Sequence, residues 1–186
     1  MYLILTASPN KEGLTAACGK AMVDGITGAG GECEVVDISQ AKLQPCLICN
    51  DGWGTCFANA TCVIQDELQT LQEKIKQAEG IVLVTPVYWG EPSERMKYFL
   101  DRFRRCEAFH RGGSAASGKQ IDLIAAAGGS GNGTVTALAE MENWCRHVGA
   151  TARERLGVTR FNREPMLAMI RDAGTRFVTG NYFKGF

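Results

Sequence analysis

An excess of charge of either sign is missing from this chain. Twenty Lys and Arg balance twenty Asp and Glu, giving a formal net charge of zero over 186 residues. That balance argues against nucleic acid or a membrane as a bulk electrostatic partner. Histidine is scarce, and its two copies, His110 and His147, stand near no Ser, Cys or Asp constellation, which disfavours a hydrolase. His147 has a simpler use at a helix C-terminus, where a cation complements the dipole. No apolar run approaches the roughly 18 residues of a membrane span. The opening Met1-Tyr2-Leu3-Ile4-Leu5 lacks the basic n-region of a signal sequence. A cytoplasmic protein is therefore expected. Internal repeats and domain-sized linkers are also missing, so one domain over residues 1–186 is expected, with 45% apolar residues to build its core.

Cysteine, by contrast, is plentiful at eight copies, placed unlike a secreted disulfide framework. Cys18 lies on the stripe Leu14, Cys18, Met22, Ile26. Cys106 extends Met96, Phe99, Leu100, Phe103, and Cys145 sits with Met141 and Val148. These are helical core spacings, where free cysteine acts as a small hydrophobe. Cys33 falls in a strand-like segment. The remaining four are clustered between residues 46 and 62.

Strand and helix patterns alternate along the chain. Strands are expected at Tyr2–Thr6, Glu32–Ile38, Ile81–Thr85, Ile121–Ala127 and, more weakly, Thr151–Val158. Helices are expected from Leu14 to Gly28, from a cap at Asp66 to Ala78, from Pro92 to Ala108, over Thr134–Val148 and from Glu164 to Phe177. Gln69 completes a capping box with Asp66. Residues 39–64 form a connection long enough to imply function. Strict alternation predicts an α/β fold, a doubly wound five-stranded parallel sheet with helices on both faces.

In such a sheet the turns after the strands share one edge, where ligands bind. Three turns there carry the functional signal. Ser8-Pro9-Asn10-Lys11-Glu12-Gly13-Leu14-Thr15 offers hydroxyls at a helix start, which suits a phosphate. It lacks the Gly-Lys-Ser/Thr ending of a P-loop and the Gly-x-Gly-x-x-Gly fingerprint; by itself it also fits a polar, capped loop. Pro86-Val87-Tyr88-Trp89-Gly90 presents two large rings after the most hydrophobic strand, either for a ligand to stack on or as core or interface residues. Gly128-Gly129-Ser130-Gly131-Asn132-Gly133 allows close backbone approach, or is simply a flexible loop. Together the three describe a pocket for a phosphorylated planar cofactor, best matched by flavin mononucleotide (FMN).

The Ser-Pro-Asn…Gly-Leu-Thr turn, Cys46-Leu-Ile-Cys49…Cys62-Val-Ile-Gln-Asp66, Thr-Pro-Val-Tyr-Trp-Gly and Phe99-Leu100-Asp101-Arg102 together resemble the flavodoxin-like NAD(P)H-dependent FMN reductases, near the iron–sulfur flavoprotein branch. The resemblance runs from residue 1 to about 135. It implies that Ser8, Asn10, Gly13, Leu14 and Thr15 hold the FMN phosphate. Asn10 stands where many relatives have arginine, which passes part of that grip to Lys11 or to neutral donors. It implies that Pro86, Val87, Tyr88, Trp89 and Gly90 line the flavin ring, and that Gly128, Gly129, Ser130 and Gly131 close its other edge. A hydride from NAD(P)H would pass through the flavin to a small acceptor such as a flavin or quinone, in ping-pong order. The cofactor supplies that chemistry, so no side chain is expected to be the catalyst.

The clustered cysteines read Cys46-x2-Cys49-x6-Cys56-x5-Cys62. Four thiolates suit a 4Fe–4S cluster or a structural zinc. In the iron–sulfur flavoproteins only two residues separate the second and third cysteines. The six found here favour reduced thiols, with an iron–sulfur electron-transfer flavoprotein as an alternative reading. A non-enzymatic flavodoxin-like carrier is another, disfavoured by the neutral charge, since docking to redox partners commonly uses a charged face. A homodimer or a dimer of dimers is expected, with Trp53, the 110–119 loop and the tail Tyr182-Phe183-Lys184-Gly185-Phe186 walling the flavin from a second subunit.

Overall fold

The computed structural model of the protein describes residues 1–109 and 112–180. Five parallel strands form the sheet: β1 (Tyr2–Thr6), β2 (Cys33–Asp37), β3 (Gly80–Tyr88), β5 (Gln120–Ala127) and β6 (Thr151–Thr159), in the order β2-β1-β3-β5-β6. A sixth strand, β4 (Glu91–Pro92), pairs antiparallel with the end of β3. Counting parallel strands alone, this is the flavodoxin-like order 2-1-3-4-5, whose switch point lies between β1 and β3.

Both sheet faces are covered, as the unbroken apolar strands require. Leu3, Leu5, Ile81, Leu83, Ile121 and Leu123 point to one face, beneath α3 (Glu67–Gln77), α4 (Glu94–Glu107) and α5 (Thr134–His147). Their neighbours Ile4, Val82, Val84 and Ile124 point to the other, beneath α1 (Leu14–Gly28) and α6 (Arg163–Thr179). The period of two along each strand sorts them. The contact between α1 and α6 depends on small residues: a Cβ on Gly25 would stand 2.1 Å from the Arg171 carbonyl oxygen. Cys18, Cys106 and Cys145 are buried in these layers, and burial pushes each thiol up to about 12. Half-buried Cys33 lies in β2, its thiol also raised by burial. All eight cysteines are unpaired.

Three expectations change. The sheet has six strands rather than five, because Glu91–Pro92 folds back on β3. Pro92 therefore does not open a helix; Ser93 caps α4 instead, its Oγ accepting from Met96 N at 3.4 Å. The 39–64 connection is not structureless: it holds a 3₁₀ turn (Asn50–Gly52) and a short α2 (Thr55–Asn59). The capping box at Asp66 and Gln69 is present. No helix among the described residues is long and apolar enough to cross a membrane. The expectations placed on His110 and on residues 182–186 lie outside the described residues.

Candidate functional site

The first turn leaves β1 and enters α1 without a side-chain cap. Gly13 is the N-cap in extended backbone, so the first helical N–H groups meet no capping oxygen from it. Those free donors sit at the positive end of the dipole, the usual anion site. Ser8 and Thr15 are buried beside them, while Asn10 and Lys11 are exposed. Ser8 Oγ donates to the Asn10 carbonyl at 2.7 Å, and Asn10 Oδ1 accepts from Glu12 N at 3.0 Å, which shapes the loop. Thr6 Oγ1 is buried with no hydrogen-bond partner. Thr6, Ser8 and Lys11 line a cleft of about 380 Å³ that continues between Lys20 of α1 and Asp37 of β2. Asn10, Gly13, Leu14 and Thr15 lie outside its lining.

The second turn is a two-residue hairpin. Tyr88 pairs with Glu91 and Val87 with Pro92, leaving Trp89 and Gly90 between them. Both have positive φ, 54° and 85°, the signature of the type I′ turn that matches strand twist. A bulky residue there is an outlier, costing about 1–3 kcal/mol. Nothing packs on the ring in return: Trp89 is 103% exposed. The strain at Trp89 is therefore not repaid by packing of its indole within the chain.

The third turn closes against the second. A Cβ on Gly133 (φ 86°) would lie 2.6 Å from Gly90 Cα, so only glycine lets the two backbones meet. Thr136 Oγ1 then donates to the Gly90 carbonyl at 2.6 Å. Between the turns lies a cleft of about 540 Å³ lined by Val87, Trp89, Gly90, Ala127, Gly129, Ser130, Asn132 and Gly133. Pro86 is buried within β3 instead, and Tyr88, Gly128 and Gly131 lie outside this lining. Asn132 and Gly133 belong to the third turn read from sequence, though the resemblance assigned only residues 128–131; Thr136 and Phe161 are additions. Exposed Phe161 reaches within 3.4 Å of the Gly131 Cβ position. Gly133 had a signal, its place before α5; Phe161 had none.

The cysteine loop leaves β2 at the same edge, where Ser39 Oγ donates to the Ser8 carbonyl at 3.1 Å. Arg102, 1% exposed, holds both ends of the loop: one terminal nitrogen donates to the Gln44 carbonyl and to Asp66 Oδ2, the other to the Ile64 carbonyl. Burial works against charge at Asp66, yet hydrogen bonds from Arg102, Leu68 N and Gln44 N hold its carboxyl below the ordinary value. The loop folds so that Cys46, Cys49, Cys56 and Cys62 all line one cavity with Arg102, Arg105 and Cys106.

The model of the NADPH-dependent FMN reductase family matches residues 2–159. The chain belongs to that family. Among curated relatives of this family member, an iron–sulfur flavoprotein of Methanocaldococcus jannaschii is 33% identical over 54% of this chain and 50% of its own length. One from Methanosarcina thermophila is 32% identical over 56% and 50%. The chain thus spans about half the length of these curated relatives. A solved NAD(P)H:quinone oxidoreductase of Methanothermobacter marburgensis superposes at a TM-score of 0.71 over 100% of this chain and 98% of its own, at 19% identity. A Bacillus anthracis FMN-dependent NADH-azoreductase bound to FMN gives 0.69 over 95% and 98%, at 12% identity. Both likenesses are of fold.

Each of the turns of this reductase-family chain has a feature that suits FMN: an uncapped helix start and an unpartnered Thr6 hydroxyl at the first, and a cleft beside an exposed indole where the second and third meet. Cys46, Cys49, Cys56 and Cys62, which line one cavity, are the donors an iron–sulfur cluster would use. The cysteine cavity measures about 20 Å³, room for about one water. Among the described residues no three His, Cys, Asp or Glu side chains are placed to hold a metal ion.

Proposed function

We propose that the protein is an FMN-dependent oxidoreductase that takes a hydride from NAD(P)H and passes the electrons to a small acceptor, a flavin or a quinone. The observation that carries this reading is the strained, fully exposed Trp89 beside the 540 Å³ cleft of the third turn. Bound FMN would supply reversible hydride acceptance and donation. The chain's own residues bind and orient. Ser8, Asn10, Lys11, Gly13, Leu14 and Thr15 would hold the phosphate at the α1 N-terminus. Pro86, Val87, Tyr88, Trp89 and Gly90 would present backbone and rings to the flavin, of which Val87, Trp89 and Gly90 line the cleft. Gly128, Gly129, Ser130 and Gly131 would give its edge an unobstructed backbone; no Cβ contact limits the approach at Gly128 or Gly129.

The reading extends to a single-domain enzyme of the cytoplasm working as a homodimer or tetramer. Trp53, Phe57 and Phe109 support the assembly: their rings meet edge-on at 5.5–5.7 Å yet remain 40%, 58% and 55% exposed. An exposed aromatic cluster of this kind is a common interface core. Adding NADPH or NADH without oxygen should bleach the flavin band, and a quinone should restore it. Steady-state double-reciprocal plots should be parallel. A bound flavin that neither nucleotide bleaches would make the protein a carrier and overturn the enzyme reading. Light scattering of the active protein should give a dimer or tetramer mass; a monomer with full activity would overturn the assembly.

A further inference from the structure

FMN ends at its phosphate, yet the cleft of about 380 Å³ that begins at Thr6, Ser8 and Lys11 runs on past that point. Its further walls are Ala16, Gly19, Lys20 and Val23 of α1 and Val35 and Asp37 of β2. Val35 and Asp37 pair in register with Ile4 and Thr6, so they share the sheet face on which α1 lies. Its volume falls within the roughly 300–1,000 Å³ of small-molecule sites.

The lining is more specific than a gap beside an edge strand. Val35 is 50% exposed and Val23 half-buried, which gives the cleft an apolar floor. Gly19 is buried in the interior of α1, where alanine would favour the helix. At Gly25 the Arg171 carbonyl excludes a side chain, but a Cβ on Gly19 would meet no packing partner within 4 Å. The space that Gly19 leaves opens on the cleft instead. Asp37 Oδ1 accepts from Ser39 N at 2.9 Å and from Ser39 Oγ at 2.5 Å, whereas its Oδ2 has no partner among the described residues. Lys11 and Lys20 are exposed, and neither joins an ion pair among the described residues. Lys20 and Asp37 thus face one cleft with opposite charges that do not meet.

This set matches the parts of an adenylate. In doubly wound nucleotide folds an acidic residue after the first turn takes the ribose hydroxyls, while the phosphates sit at the first helix N-terminus. Asp37 ends β2 and the uncapped start of α1 lies at the mouth of the same cleft. We infer that the cleft is a subsite for an adenosine 5′-phosphate group carried by the flavin, so that the chain takes FAD as well as FMN. The inference rests on the phosphate site proposed above. The second phosphate of FAD meets Lys11 and Lys20, the ribose hydroxyls donate to Asp37 Oδ2, and adenine lies against Val23 and Val35 in the space left by Gly19. Joined to a flavin already held, the adenylate binds as an intramolecular group, so modest contacts count.

Calorimetric titration of the flavin-free full chain with FMN and with FAD separates the two readings. FMN binding by the parent tests the flavin reading; the ratio of the two Kd values tests the subsite. FAD should bind roughly tenfold more tightly than FMN, and excess AMP should weaken FAD binding without touching that of FMN. Gly19→Leu, which fills the cleft, should raise the FAD Kd about tenfold and leave the FMN Kd within about twofold. Lys20→Met should move the two constants in the same unequal way, about fivefold against none. A parent that binds FMN but holds FAD no more tightly would overturn the subsite alone, even if AMP binds by itself. Equal losses of FMN and FAD in both variants would also overturn it. A parent that binds neither flavin would overturn the flavin reading and the subsite with it.

Discussion

Replacing Trp89 by asparagine should move stability and flavin affinity in opposite directions. Trp89 stands at φ 54° ahead of Gly90 at φ 85°, between paired residues of a two-residue hairpin. Asn-Gly is the preferred sequence of that turn, because asparagine tolerates the left-handed region. The indole is 103% exposed, so removing it forfeits no packing. Without flavin, Trp89→Asn should therefore stabilise the protein by about 1 kcal/mol, or about 2–4 °C in Tm for a chain of this size. With flavin the sign reverses. A stacked ring of 150–250 Å² buries about half that area, worth about 2.5 kcal/mol at 25 cal/mol per Å². At 1.4 kcal/mol per decade, the FMN Kd should rise roughly 50-fold. Scanning calorimetry of the flavin-free protein reads the first effect and quenching of flavin fluorescence the second. A flavin-free variant that melts lower, or one that keeps FMN affinity, would refute the reasoning.

Gly133→Ala forces a Cβ to 2.6 Å from Gly90 Cα at φ 86°, and should cost about 1–3 kcal/mol in denaturant unfolding. Gly129→Ala in the same turn meets nothing within 4 Å and should stay within about 0.5 kcal/mol of the parent. Asp66→Asn keeps a capping oxygen for Leu68 N but leaves buried Arg102 without its counter-ion; urea titration at pH 7 should show a loss of about 3–5 kcal/mol. The Asp66 carboxyl is lowered in the folded state from 3.8. Its contribution is therefore complete above the unfolded value and lost as pH falls through the folded one. Acid titration below pH 4 should destabilise the parent more steeply than Asp66→Asn; equal slopes would contradict the Arg102–Asp66 assignment.

The sheet was legible because its information is local. Tyr2–Thr6 and Leu14–Gly28 have the same bounds in structure as in sequence, since an unbroken apolar run, a helical stripe and terminal glycines all agree there. Pro92 misled because proline opens helices as readily as it ends edge strands, and the Ser93 cap beside it was the better sign. The site was legible as three turns but not as a shape. That Gly133 meets Gly90, or that Phe161 reaches Gly131, depends on contacts between elements far apart in the chain. So does the hold of Arg102 on Gln44 and Ile64, 58 and 38 residues away. Trp89 at positive φ was hidden for another reason: tryptophan is not a residue of that turn by propensity, so only the fold reveals it.

The proposed phosphate site at the start of α1 tests the central claim most directly. Calorimetric titration of FMN and of riboflavin, which lacks the phosphate, should give one site per chain and at least tenfold tighter binding of FMN. Ser8→Ala/Thr15→Ala would remove two hydroxyl donors to the proposed phosphate, each worth roughly 1.5–3 kcal/mol, the Ser8 hydroxyl turning to it from the Asn10 carbonyl. The FMN Kd should rise at least tenfold while riboflavin binding stays as it was. Equal affinity for the two flavins in the parent, or equal losses in the variant, would contradict a flavin mononucleotide held at the start of α1.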